Sequence, residues 1–482
     1  MIGQLCILLM AFRDSFPRGA TFRWFVVAVM GFIVRLDHHG VSSNIRWLGI
    51  CPDLYESFLA FFRSRALDFN KLLDRWLKLV MQRCVATTRD GAVVLIGDGL
   101  KVAKEAKLMP GVKKLHQESD NSGKAPWISG HHFGVVGILM GSYQKMFCVP
   151  VAAELHEGVT ALRVLQRKDQ PDTGQTGKTT IVTLMVHLIK AISTRLKKPC
   201  VAVLDAYFAV GPTFQMARSL MDASGSRRLL HIVTRAKGNI VAYEDKPTAS
   251  RSKGRPRKYG PKLKLEQLFT SRSEAFVTLR VNAYGEEKTV SALCLDLLWR
   301  PIMEKIRFVL IKDGAQKFIL MCSNLSMAPE EIIGLYACRF KIEVTFKMLK
   351  HVIGGLCYHF WTRAWKGLGD SALSLDDLHQ LASRSKRLIA ETMDAIEAFV
   401  NIAAISTGLL QILAIEHADR IQKLHRWWLR TYSSEIPSEE MVKNVIQHEY
   451  YHNFRSFKHT AIYRIIREKA YPSRAAPLKK AA

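Results

Sequence analysis

Four side chains in the stretch YACRFKIEVTFKMLK, namely Tyr336, Arg339, Glu343 and Lys350, are of types that can act on a phosphate. On a helix turning about 100° per residue they share a stripe about 60° wide, which places one carboxylate among two cations and a phenol. A carboxylate so placed can hold a metal ion while its neighbours grip phosphates. A solvated helix face with i,i+4 charge pairing accounts for the same stripe. Two further acids stand out upstream. Asp98 follows the continuous apolar run at 92–97, and Asp205 ends the run at 201–205. Each reads as a strand buried on both faces with a carboxylate at its C-terminal end, although Asp98-Gly99 alone is commonly just a turn. If these two aspartates and Glu343 converge, they form a hard, oxygen-only site that suits Mg²⁺ and not zinc.

The elements that must position these groups follow from the periodicity. Pro329, Glu330 and Glu331 suit the opening turns of the Glu343 helix, and Gly354-Gly355 suits its end. Strands are expected at 92–97, 132–140 and 145–155, the last two joined as a hairpin around Gly141-Ser142. A helix at 179–196, a strand at 201–205, a helix at 210–221 and a strand at 229–234 complete this part. Four more candidate strands fall at 275–283, 289–295, 306–311 and 317–322, before the glutamate helix. A further helix is expected at about 388–415.

The spacing Tyr, two residues, Arg, three residues, Glu, six residues, Lys is similar to the pattern of one branch of bacterial insertion-sequence transposases, the DDE enzymes that excise through a hairpin intermediate. The four-residue match is complete. The resemblance covers roughly residues 90–415. It implies an α/β protein: a ribonuclease H-like catalytic core, interrupted by an inserted β-rich domain, with helical N- and C-terminal regions. In that fold the first and fourth strands lie side by side, so Asp98 and Asp205 meet, and a later helix delivers Glu343. The expected division is 1–88 for a helical DNA-binding region, 89–235 and 329–415 for the core, 236–328 for the insertion and 416–482 for a basic helical region.

Catalysis would then rest on Asp98, Asp205 and Glu343 as ligands of two Mg²⁺ ions, for which Mn²⁺ can substitute. Ions about 3.5–4 Å apart can activate a water or 3′-hydroxyl and stabilise the leaving 3′-oxygen. By the resemblance, Tyr336, Arg339 and Lys350 hold phosphates of the transposon end, and a tryptophan of the insertion, here Trp299, stacks a base extruded during hairpin formation. Its apolar neighbours make Trp299 equally a core residue of the insertion. The implied partner is double-stranded DNA, as transposon ends and target, engaged by a homodimer in the synaptic complex. A structure-specific nuclease and a catalytically silent DNA-binding protein are the alternatives.

Composition agrees with such a partner. The 482 residues carry 70 Lys or Arg against 42 Asp or Glu, a formal charge of +28 that points to a polyanion. No run is expected to span a bilayer, the best candidate stopping at Arg35, and neither does the N-terminus read as a secretory signal. This leads to an expectation of a cytoplasmic, nucleoid-associated protein without membrane contact. No CxxC pair occurs among the nine cysteines, which read as reduced. The most basic stretch, 246–264, contains Lys253-Gly-Arg-Pro-Arg-Lys258; Arg255, Arg257 and Lys258 suit either a minor-groove hook or plain phosphate contacts. Residues 41–63 fit a helix-turn-helix or a helical bundle with a Pro turn. Aromatic residues interleaved with cations at 425–467 suit nucleic acid or a helical subdomain. Two features carry less: the loop ending in Gly177-Lys178-Thr179 lacks the glycine a phosphate loop requires, and His131-His132 point to opposite strand faces.

Overall fold

The computed structural model describes residues 1–83, 85–117, 125–142, 145–156, 180–245, 258–283, 285–365, 381–425 and 436–471. Its strands are β1 (Val93–Ala103), β2 (Lys113–His116), β3 (Trp127–Ser142), β4 (Lys145–Leu155), β5 (Cys200–Leu204), β6 (Leu230–Arg235), β7 (Val241–Tyr243), β8 (Lys262–Lys264), β9 (Val277–Ala283), β10 (Glu286–Trp299), β11 (Glu304–Asp313) and β12 (Gln316–Cys322). The helices that matter here are α1 (Ile2–Met10), α2 (Gly19–Val34), α3 (Gly40–Leu48), α4 (Tyr55–Phe62), α5 (Phe69–Met81), α6 (Ile181–Leu196), α7 (Gly211–Ser219), α8 (Pro329–Ala337), α9 (Lys341–Lys347), α10 (Ser383–Glu416), α11 (Glu439–Asn453) and α12 (Ala461–Lys469).

The apolar runs of β1 and β5 are continuous because both of their faces are covered. Leu95, Ala202 and Leu204 join one core with Leu184, Met185 and Leu188 of α6. Their neighbours Val94, Ile96, Val201 and Val203 join a second core with Ile332, Ile333 and Leu335 of α8 and Ile342 of α9. β1, β5 and β6 are parallel, β3 runs antiparallel to β1, and β4 antiparallel to β3. The strand order is β2-β3-β1-β5-β6-β12-β11-β10-β7-β8, with β4 also on β3 and β9 also on β10.

The strands expected in the insertion form, but they do not make a sheet of their own. β12 pairs antiparallel with β6, Met321 opposite Thr234, so the core sheet continues into them. Pairing of this kind removes the open edge that β6 would otherwise present. Strand periodicity identifies strands, not their partners.

Helix α10 corrects the expectation that no segment is long and apolar enough to span a bilayer. By length and composition it passes that test, yet 89% of its most apolar window is buried inside the fold. It packs on β4 and α2 as the central helix of the main core. The charge-free stretch 398–415 carries this signal in the sequence.

The N-terminal helices pack on α10, α11 and α12. α3 and α4 are joined by a turn at Pro52–Leu54, as the sequence suggests. α4 buries Phe58, Phe61 and Phe62 and exposes Glu56, Ser57 and Ala60, with Arg63 exposed at its C-terminal end. The fully buried Arg35 fastens the bundle to the glutamate helix. Its guanidinium donates to the carbonyls of Gly40 at 3.0 Å, Ile353 at 2.7 Å and Gly354 at 2.8 Å, and to Asn44 Oδ1 at 3.2 Å. Lys443 of α11 donates to the carbonyl of Val352 at 2.5 Å. Two cations from distant parts of the chain thus satisfy carbonyls that the end of a helix leaves unpaired, where its dipole is negative.

Candidate active site

The parallel ladder of β1 and β5 ends at Gly97 opposite Leu204. Asp98 and Asp205 are the next residue on each strand, so register alone sets them side by side. β1 does not stop at Asp98, as the sequence suggested, because β3 pairs with it as far as Ala103 opposite Gly130. Asp98 accepts the Gly99 N–H on Oδ1 at 2.7 Å. Asp205 begins a short 3₁₀ turn, its carbonyl accepting from the Phe208 N–H at 3.0 Å and the Thr234 hydroxyl at 2.9 Å.

The segment that carries Glu343 is helical throughout but not uniform. α8 gives way to a 3₁₀ turn at Cys338–Phe340, α9 follows, and a π turn at Met348–Val352 ends at Gly354, whose φ is +65°. Such changes of winding within a helix are frequent at functional sites. The tight turn carries Arg339 to the aspartates. Its Nη1 lies 3.2 Å from Asp98 Oδ2 and its Nη2 lies 2.6 Å from Glu343 Oε1. Tyr336 is half-buried beside Arg339, within electrostatic reach of Asp205 and Arg235, and burial pushes its phenol up to about 12. Lys350 is exposed on the π turn, about 10 Å further along the axis than Glu343 at 1.5 Å per residue.

The carboxylates act on one another. Burial, first of all, raises Asp98 from 3.8 to about 6; Arg339 and the Gly99 N–H oppose the shift, and Asp205 and Glu343 add to it. A cluster in this state has an excess of negative charge that a cation relieves, and the Arg339 guanidinium now supplies part of that relief. Among the described residues no three acidic, His or Cys side chains stand close enough to hold one ion as they are. Glu343, half exposed and turned to Arg339, has to swing toward the aspartates for that.

Asp98→Asn is therefore expected to stabilise the fold in a pH-dependent way. A carboxyl whose folded value is raised incurs no penalty below its unfolded value near 3.8; the penalty grows as pH rises toward 6 and is complete above it. The attraction of Arg339 is already contained in the value of about 6. The gain should reach about 2–3 kcal/mol at pH 7.5 and vanish near pH 3.5, as read from urea unfolding midpoints. Equal gains at both pH values would contradict it.

Trp299 requires a correction. It is 4% exposed, with its ring centroid 5.2 Å from that of Phe214 in an edge contact. A platform for an extruded base has to offer a ring face to solvent, and this ring is core, the alternative that its apolar neighbours had left open. Lys258 is exposed just before β8, whereas Arg255 and Arg257 lie outside the described residues, as does the phosphate-loop-like stretch before Thr179. His131 is buried and bonded to the Tyr358 hydroxyl at 2.7 Å and the Pro110 carbonyl at 2.8 Å, a structural role.

Two residues near the site were not singled out in the sequence. Arg235 ends β6, next to the Thr234 that holds Asp205, and its charge reaches Tyr336. Tyr207, two residues after Asp205, is 47% exposed. In each case the signal was available: a cation and an aromatic ring at the C-terminal ends of strands parallel to β1.

A family model described as DDE superfamily endonuclease matches residues 11–290, more than half of the chain, and the match contains both Asp98 and Asp205. The chain belongs to this family of nucleic-acid-cleaving enzymes, which act on DNA and generally use divalent metal ions. No curated protein matches it.

Proposed function

We propose that the protein is a DNA transposase that cuts at terminal inverted repeats, passes through a hairpin intermediate and transfers the freed strand into target DNA. The observation that carries this reading is the arrangement of Asp98 and Asp205 in register at the end of one parallel ladder, with Arg339 linking Asp98 to the Glu343 helix. The antiparallel β4-β3-β1 group followed by parallel β5 and β6 supports a ribonuclease H-like core at 89–235 and 329–415. Residues 236–328 are read as its insertion, 1–88 and 416–482 as the flanking helical regions, and a homodimer as the form that pairs two ends.

Asp98, Asp205 and Glu343 are an all-oxygen donor set whose negative charge Arg339 relieves only in part, which fits two Mg²⁺ ions. Bound there, the ions supply an activated hydroxyl nucleophile and stabilisation of the leaving 3′-oxygen. The chain contributes the rest. Arg339 moves from the carboxylates to a phosphate of the transposon end, leaving its place to the metal. Tyr336 keeps its proton at any ordinary pH and donates it in a hydrogen bond to a phosphate oxygen. Lys350 neutralises a phosphate further along the strand.

The DNA on either side of the coding region provides the test. A duplex carrying its inverted repeat should be nicked at the repeat boundary in Mg²⁺, then closed to a hairpin, then joined to a plasmid target. Cleavage with neither hairpin nor joining returns the reading to a structure-specific nuclease. Behaviour unchanged by chelation makes the chain a silent DNA-binding protein.

A further inference from the structure

Past Asp98, β1 continues for five more residues beyond the edge of the sheet where the carboxylates sit, carrying β3 and β2 with it. The register fixes which side chains share the face of Asp98. Asp98 stands opposite Val135, and every second residue from Val135 toward the start of β3 faces the same way, ending in Trp127. Lys114 is opposite Ser129 and His116 opposite Trp127, so both lie on this face too. The middle of the face is covered: Tyr358 hydrogen-bonds His131, and Lys104 donates to the carbonyls of Leu356 and Tyr358 at 2.7 and 3.0 Å. Its far end is not. Trp127 is 50% exposed, its ring met edge-on by His116 at 4.9 Å and overhung by the Lys114 ammonium at 5.0 Å. Lys101 donates to the His116 carbonyl at 2.7 Å and braces the corner.

We propose that this overhang is a second contact for duplex DNA, in which Trp127 packs on the sugar-base edge of the duplex that continues away from the cut and Lys114 neutralises an adjacent phosphate. The inference rests on the reading of Asp98 as part of a DNA-cleaving site. The charge fits the occupant: an exposed indole flanked by two basic side chains is a surface for a polyanion with apolar edges. So does the length. Eight residues of strand between Val135 and Trp127 span about 27 Å at 3.4 Å per residue. That distance corresponds to about 8 base pairs at 3.4 Å each. Base-pair steps closer to the cut do not reach Trp127.

The test is a series of terminal-repeat duplexes trimmed from either side to about 5 or extended to about 14 base pairs from the cleavage site, bounds that follow from the 8-base-pair estimate. Affinity of the full chain is measured without divalent metal. Trp127→Ala should weaken binding of the long duplex about tenfold, the scale of taking roughly 50 Å² of apolar ring surface out of water, and leave the short one unchanged. Lys114→Ala should lower the salt dependence on the long duplex by about one counterion. Trp127→Phe should restore most of the affinity, which separates ring contact from damage to the sheet. Losses equal on long and short duplexes, or absent on both, leave the trio as cross-strand packing at a sheet edge and overturn the inference, while wild-type cleavage of the same ends keeps the underlying reading intact. A wild-type chain that neither binds nor cuts these ends overturns both.

Discussion

Asp98→Ala, Asp205→Ala and Glu343→Ala are each expected to abolish Mg²⁺-dependent nicking of a transposon-end duplex, with losses on the order of a thousandfold or more. The size follows from removing one ligand of a site that supplies several kcal/mol of charge stabilisation to the transition state. End binding should stay within a few-fold, because none of the three carboxylates neutralises a phosphate. The geometry adds a distinction. Asp98 and Glu343 each hold one side of the Arg339 guanidinium, so either replacement should release Arg339 toward DNA, whereas among the described ion pairs none joins Asp205 to it. Gel assays of nicking and filter binding on the same preparations check both halves. A variant that nicks appreciably removes its residue from the site.

Trp299→Ala is expected to cost about 3–5 kcal/mol of stability, the usual range for deleting a large buried aromatic side chain. The indole is 4% exposed and meets Phe214 of α7, so its loss opens a cavity between β10 and the core helix. Against a total stability of about 5–15 kcal/mol, such a loss lowers the urea midpoint sharply. At temperatures where the variant stays folded, nicking and hairpin formation should slow together, if at all. Normal stability with a defect confined to hairpin formation would restore the stacking role and show that the ring leaves the core when DNA binds.

Much of the fold was legible because its signals are local. The runs at 92–97 and 201–204 carry no polar side chain, which identifies strands covered on both faces, and the helical character of the Glu343 segment was legible although its changes of winding were not. The nearness of Arg339 to Glu343 was legible as spacing, but its contact with Asp98 was not: a side chain expected to face DNA phosphate bridges two carboxylates here, since pairing across elements is not written in either segment. The same limit explains Trp299. LLWRP contains an aromatic ring among leucines, and whether that ring faces Phe214 or solvent depends on α7, more than eighty residues earlier. The pairing of β12 with β6 joins segments separated by the whole insertion, which no periodicity records. The helix at about 388–415 was legible too, and the charge-free stretch 398–415 within it carries the apolar length that the structure then buries.

The contacts of Arg35 have a consequence in time. Its partners Ile353 and Gly354 lie 318 and 319 residues downstream, and Gln447 reaches back across 413 residues to the carbonyl of Val34. At synthesis rates of about 5–20 residues per second, the first helices wait roughly 20–80 s for α11 to be made. During that interval the Arg35 guanidinium has to stay hydrated, since burying it without those carbonyls is costly. The end of the glutamate helix is fastened only when Lys443 and Arg35 meet it from opposite ends of the chain. The helix that carries Glu343 is thus among the last parts of the fold to be locked, its end left loose until residue 443 has been made.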